Sequence, residues 1–233
     1  MAITATSLPN VNRDILVRVM PFAVFIGFLV LRNVLPLVFG SAVDWRWIYP
    51  AKVAATGLTL ALFWRHYTEL HAEQARRILS AAGLVSVLLG LAVFALWIRL
   101  DSGWAVLGGM GKGFTPFDAG HFNYTLVVFR LAGAALLVPL IEELFWRSFL
   151  MRWLDHHAFL NLAPMQVGLR ALIVSSLVFG FEHNQWLAGM IAGLVYGGLY
   201  RRSQNLWLAV VAHATTNLAL GIWVLTTGNW QFW

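Results

Sequence analysis

The stretch Ile141-Glu142-Glu143-Leu144-Phe145-Trp146-Arg147 puts two acids and a base inside a run, residues 131 to 151, that otherwise reads as membrane-buried. A carboxylate at the centre of a bilayer costs at least ~2.5 kcal/mol, so paired acids at that depth mark a candidate functional site. The surrounding chain decides whether the depth is real and which residues share it.

Of 233 residues, 60% are hydrophobic and 11% charged, and the mean hydropathy is +0.72. That is too apolar for the water-facing surface of a soluble domain, and the chain reads as a polytopic membrane protein. No polar or Pro/Gly/Ser-rich linker separates two units, so residues 1–233 are expected to form a single membrane domain. Zero cysteines exclude disulfides, thiolate ligands and a cysteine nucleophile. The formal charge of +6 is dispersed at segment ends rather than gathered on one face. It points to membrane topology and not to nucleic acid. The stretch from Met1 to Asn12 is polar and uncharged and does not read as a removable signal peptide.

Apolar runs near the ~20 residues that cross ~30 Å of hydrocarbon fall at 19–39, 47–64, 78–98, 131–151, 171–184, 186–200 and 205–226. They predict an all-α, polytopic bundle of about seven to eight transmembrane helices. Placing the loop from Arg65 to Arg77 in the cytoplasm puts most arginines inside, among them Arg18, Arg152, Arg170, Arg201 and Arg202. Arg46, Lys52, Arg99 and Lys112 then fall outside, and the charge bias places the N-terminus in the cytoplasm. Residues 121–130 read as a lead-in to the fourth span or as a separate interfacial piece. Gly189, Gly193, Gly197 and Gly198 are expected to let helices approach closely. The Gly-Gly-Met-Gly-Lys-Gly stretch from Gly108 to Gly113 is not a phosphate-binding loop. Val106 stands where the leading glycine belongs, and Gly113 where a Ser or Thr would follow the lysine.

On a helix Glu143 and Arg147 share a face and can form an ion pair, whereas Glu142 projects about 100° away and is left for chemistry. Phe179 shares a face with His183, and His213 with Asn217. Measured from the nearest inner-edge arginine at ~1.5 Å per residue, Glu142, His183 and His213 lie ~15, ~20 and ~16 Å deep. Three polar foci at one depth favour one cavity. Glu182 projects to a different face from His183 and is kept as a candidate supporting group.

A carboxylate and an imidazole in such a cavity can polarise a water for attack on a peptide carbonyl, and a His and an Asn side by side offer N–H donors to the developing oxyanion. The same Glu and His residues could instead hold Zn2+, and the residue types leave open whether a metal is needed. No His-Glu-x-x-His, Gly-x-Ser-x-Gly or Gly-x-Gly-Asp pattern is present.

Glu142-Glu143-x-x-x-Arg147, Phe179-x-x-x-His183 and His213-x-x-x-Asn217, in that order, resemble the CAAX-protease and bacteriocin-processing (Abi, CPBP) family of intramembrane endopeptidases. The layout is similar to its exosortase-associated bacterial subgroup. The resemblance covers the motif-bearing core, residues 121–226, and leaves the N-terminal helices of residues 1–120 without a motif. It implies a multi-helix fold in a bacterial inner membrane, with a cavity opening laterally or toward the cytoplasm. It also implies cleavage of a membrane-associated peptide or protein near a chain end. By motif position Glu142 and His183 activate water, His213 and Asn217 stabilise the oxyanion, and Glu143, Arg147 and Phe179 support them. Two alternatives compete: a non-catalytic or immunity-type membrane partner that binds a peptide in the polar cavity, and a transporter. The chain has no repeated hydropathy unit of the kind many transporters carry.

Overall fold

The computed structural model describes residues 11–40, 43–111, 113–118 and 120–233. Residues 1–10 of the polar N-terminal stretch, and Lys112 of the glycine-rich loop, lie outside them. The helices are α1 (Val11–Phe39), α2 (Ile48–Phe63), α3 (Ala72–Leu79), α4 (Ala81–Trp97), α5 (Tyr124–Trp153), α6 (Leu169–Phe181), α7 (Trp186–Ser203) and α8 (Leu206–Thr227). One two-residue ribbon interrupts the all-α architecture, β1 (Phe117–Asp118) pairing antiparallel with β2 (His121–Phe122). Helix α1 packs along α2, α4 along α8, and α6 along α7, while α5 runs among them and touches α1, α6 and α8.

The expected seven to eight transmembrane helices are not there. Among the described residues three helices, α1, α5 and α8, are long and apolar enough to cross a membrane, and α3 with α4 makes a fourth only if the pair, bent by 74°, is one span. The 13 residues of α6 and the 16 of α2 reach about 20 and 24 Å at 1.5 Å per residue, short of ~30 Å of hydrocarbon. An apolar run can be satisfied by protein as well as by lipid. Helix α7 shows this: Ala188, Gly189, Ala192, Gly193, Tyr196, Gly197 and Tyr200 are buried against neighbouring helices. A β-carbon on Gly189, Gly193 or Gly197 would come within 3.0 Å of α6 atoms, whereas Gly198 faces open space.

Residues 124–130 are the opening turns of α5 itself. Asn123 caps it, its side-chain oxygen accepting from the Leu126 N–H at 3.0 Å. Within α5 the chain widens to π-helix at Gly133–Leu137 and again at Glu143–Leu150. The first widening lies just ahead of Pro139, which has no N–H to give.

Several arginines that serve as topology markers in the sequence are internal. Arg18 is fully buried and grips Glu69 through two hydrogen bonds of 2.8 and 2.7 Å. Ser148 of α5 donates to the same carboxylate, and Arg152 lies 4.0 Å from it. Arg152 also donates to the carbonyls of Leu162 and Leu160. Arg77 donates to the Ser203 carbonyl at 2.8 Å, so the basic turn before α4 and the basic end of α7 meet at one end of the bundle.

Candidate active site

Helices α5, α6 and α8 bring the polar foci to one cavity of about 460 Å³, lined by Glu142, Phe179, His183, His213 and Asn217. Glu142 is 4% exposed, and its Oε2 is buried without a hydrogen-bond partner. His213 Nε2 lies 3.8 Å from it. That is too long for a hydrogen bond but short enough for one water to touch both.

Glu143, one residue on, goes the other way. It is fully buried, with Oε1 3.1 Å from the Arg147 guanidinium and 2.9 Å from His213 Nδ1. The contact to Arg147 is an ion pair without hydrogen-bond alignment. Arg147 also stacks its guanidinium 4.3 Å from the centre of the Phe179 ring. Phe179 thus sits between Arg147 and His183, whose ring centre is 4.8 Å from its own.

The tautomers follow from the partners. His183 Nδ1 lies 2.9 Å from the Phe179 carbonyl oxygen, which only accepts, so Nδ1 carries the hydrogen and Nε2 is left with its lone pair. With Glu143 ionised, the same reasoning makes His213 Nδ1 a donor to Glu143 and its Nε2 an acceptor. A neutral His213 therefore has no N–H to offer at Nε2, and it becomes an oxyanion donor only after gaining a proton.

Asn217 is held by a defect in α5. The Val138 N–H bonds to Gly133, five residues back, and Pro139 has no N–H, so these two positions give the Ala134 carbonyl no donor. Asn217 Nδ2 supplies it at 2.8 Å, which leaves its second amide hydrogen for the cavity.

Further residues line the cavity, and sequence spacing does not place Tyr196 or Trp97 there. Tyr196 stacks on His213 with ring centres 4.9 Å apart and donates to Thr216 at 2.7 Å. Trp97 meets His183 edge-on at 5.3 Å. Lys52, expected outside as a topology marker, is 3% exposed and lines the cavity, as do Arg130 and Glu182. Among the described residues no three His, Asp or Glu side chains converge to hold a metal ion. The arrangement does not fit the zinc centre that the residue types allowed.

Residues 124–219 match the family model described as type II CAAX prenyl endopeptidase Rce1-like. A Rce1-like CAAX-protease domain thus runs from the first turn of α5 into α8, over less than half of the chain, and contains the site residues. Nothing in the match points to the exosortase-associated subgroup. No curated protein and no solved structure matches the chain.

Proposed function

We propose that the chain is an intramembrane endopeptidase that hydrolyses a peptide bond of a membrane-associated protein or peptide. The observation that carries this reading is the unpartnered Glu142 oxygen 3.8 Å from His213 Nε2, in a cavity shared with His183 and Asn217. The Rce1-like match over the same residues supports it.

Water held by Glu142 and the Nε2 lone pair of His183 attacks the carbonyl carbon, and its proton passes to the Glu142 carboxylate. His213 takes that proton at Nε2, and Glu143 stabilises the resulting imidazolium through Nδ1. The new Nε2–H and the free Asn217 amide hydrogen then face the oxyanion. Collapse of the tetrahedral intermediate breaks the C–N bond, and His213 returns the proton to the leaving amine. Arg147 and Phe179 keep Glu143 and His183 in place. Residues 1–233 act as one membrane domain, the motif-free N-terminal helices adding Phe25, Tyr49 and Lys52 to the cavity wall. The gathering of Arg77 with the end of α7 supports a cytoplasmic placement of that end, and of the N-terminus with it.

Purified protein in liposomes should cleave a membrane-associated peptide, and Glu142→Ala, His183→Ala and His213→Ala should each abolish cleavage while the fold persists. Undiminished cleavage by Glu142→Ala would sink the mechanism. Loss of folding together with peptide binding, and no cleavage by the parent protein, would favour a non-catalytic partner.

A further inference from the structure

The cavity has a floor and a rim, and they face opposite ends of the bundle. Its deepest wall is Glu142, Phe179, Tyr196 and His213, all buried. Past Glu142, α5 carries Arg147, Ser148 and Arg152 in turn toward the end where Arg77 meets Ser203, and Arg152 donates to the Tyr200 hydroxyl there at 3.4 Å. With Arg18 and Glu69 these side chains fill that end, none of them more than 8% exposed. A peptide entering through the floor would have to part the Arg18–Glu69 pair and strand two buried charges. In the other direction exposure rises. His183 and Asn217 are half-buried, and Glu182 and Asn184, in the turn between α6 and α7, are exposed. Met110, from the loop after α4, and Gln231, Phe232 and Trp233, which follow α8, complete the rim. The rim is fastened by hydrogen bonds: Leu107 N–H to the Asn184 carbonyl at 2.7 Å, Trp186 Nε1 to the Trp104 carbonyl at 2.8 Å, and Phe114 N–H to the Trp233 carbonyl at 3.0 Å. Gly108, Gly109 and Gly111 of its loop are exposed. Irregular backbone of this kind needs water, so the rim sits at an aqueous boundary and not in hydrocarbon.

We infer that the cavity takes its peptide from the face of the membrane opposite the Arg77 end, so that the substrate is a polypeptide segment presented on the extracytoplasmic side. In naming a peptide this rests on the endopeptidase reading, and in naming the side it rests on the positive charge bias of the Arg77 end. The family resemblance implies an opening laterally or toward the cytoplasm, whereas the positions of floor and rim favour the opposite face. A chain entering at the rim meets Met110, Trp233 and Asn184 first, then His183 and Asn217, and reaches Glu142 last. The substrates are therefore segments that have crossed the membrane or emerge from it on the outer side, and a segment confined to the cytoplasm is out of reach.

The chain has no cysteine, so single cysteines in the full chain report sidedness without background. Ala72→Cys marks the Arg77 end and Ser102→Cys the rim end, both at exposed positions. Val138→Cys, four residues from Glu142 on α5, and Leu220→Cys on α8 report the cavity wall. Right-side-out and inverted vesicles from a bacterial host are treated with a charged, membrane-impermeant thiol reagent. Ser102→Cys and both wall cysteines should react in right-side-out vesicles, and Ala72→Cys only in inverted ones. Wall cysteines that react from the same side as Ala72→Cys overturn the proposal, as does a Ser102→Cys that reacts only in inverted vesicles. Wall cysteines protected from both sides until the protein is denatured overturn it too, since the cavity then has no aqueous mouth. A second measurement adds an impermeant fluorogenic peptide to vesicles of the parent protein: right-side-out vesicles should cleave it, and inverted ones only after detergent. Because labelling is read without hydrolysis, the expected labelling with no cleavage even in detergent would retain the outward mouth and discard the endopeptidase. Cleavage confined to inverted vesicles would retain the endopeptidase and overturn the outward mouth.

Discussion

His213 is held between two adjacent acids: its Nδ1 lies 2.9 Å from Glu143 Oε1 and its Nε2 3.8 Å from Glu142 Oε2. The two glutamates therefore act on opposite sides of one imidazole, Glu142 at the cavity and Glu143 behind it.

This geometry separates the consequences of changing each acid. Glu142→Gln removes the proton acceptor and should lower kcat by ~10²–10⁴, the usual worth of a positioned base. Glu143→Gln keeps an oxygen for the Nδ1–H but removes the charge that stabilises the imidazolium. It should cut kcat as well, and it should also loosen Arg147, which would lose its anionic partner in the core. Thermal melts in detergent should thus fall for Glu143→Gln and stay near the parent value for Glu142→Gln. Equal melts for the two would contradict the division of labour.

Asn217 spends one amide hydrogen on the Ala134 carbonyl and keeps the other for the cavity. Asn217→Ala should lower kcat by ~10²–10³, the range seen when one oxyanion donor is removed, with little change in KM. Asn217→Asp should be no better, because the acid cannot donate when ionised. Steady-state kinetics on a single peptide decide this, and a pure KM effect would argue for a binding role alone.

What was legible in the sequence is local. The spacing of Glu143 with Arg147, and of Phe179 with His183, is a matter of one helical turn, and each pair meets in space. The number of spans was not legible, because the hydrophobicity of α7 reflects burial against protein and hydropathy alone does not distinguish that from lipid. The burial of Lys52 and Arg18 was not legible for a related reason: a charge at a span end is read for its side of the membrane, and the pattern does not show that these two are internal. The anchoring of Asn217 depends on a π-wound turn that no residue pattern announces, although Pro139 is its visible cause.

The Arg18–Glu69 pair fastens α1 to the turn before α3 and, through Ser148, to α5. Arg18→Met leaves a buried carboxylate short of its partner and should cost ~3–5 kcal/mol of stability. The double variant with Glu69→Leu should recover part of that loss. Burial pushes the Glu69 carboxyl up, but the Arg18 hydrogen bonds prevail and hold it below its ordinary value of 4.5. A carboxylate lowered on folding contributes stability that is complete above the unfolded value and is lost as pH falls through the folded one. In Arg18→Met burial acts on Glu69 without the Arg18 hydrogen bonds to oppose it, so the variant's carboxyl takes up a proton at higher pH than the parent's, and the stability gap should be widest at alkaline pH and narrow as pH falls. Denaturation from pH 8 to 4 in a charge-neutral detergent measures it, and a gap that widens on acidification would contradict the assignment.

Pro139 provides the sharpest separation of activity from stability. It deprives the Ala134 carbonyl of a backbone donor and so obliges Asn217 to supply one. In Pro139→Ala the restored N–H can bond within α5, and helix propensity favours alanine over proline by ~3 kcal/mol in a helix interior. The variant should be at least as stable as the parent. It should nevertheless be slower, because Asn217, released from Ala134, no longer holds its second N–H at the cavity. A rise in melting temperature together with a fall in kcat of about tenfold or more is expected, short of the full Asn217→Ala loss. The two substitutions should not add, since both act through the same amide: Pro139→Ala in an Asn217→Ala background should leave kcat unchanged. Independent, multiplicative losses would show that the proline acts on the site by some route other than Asn217.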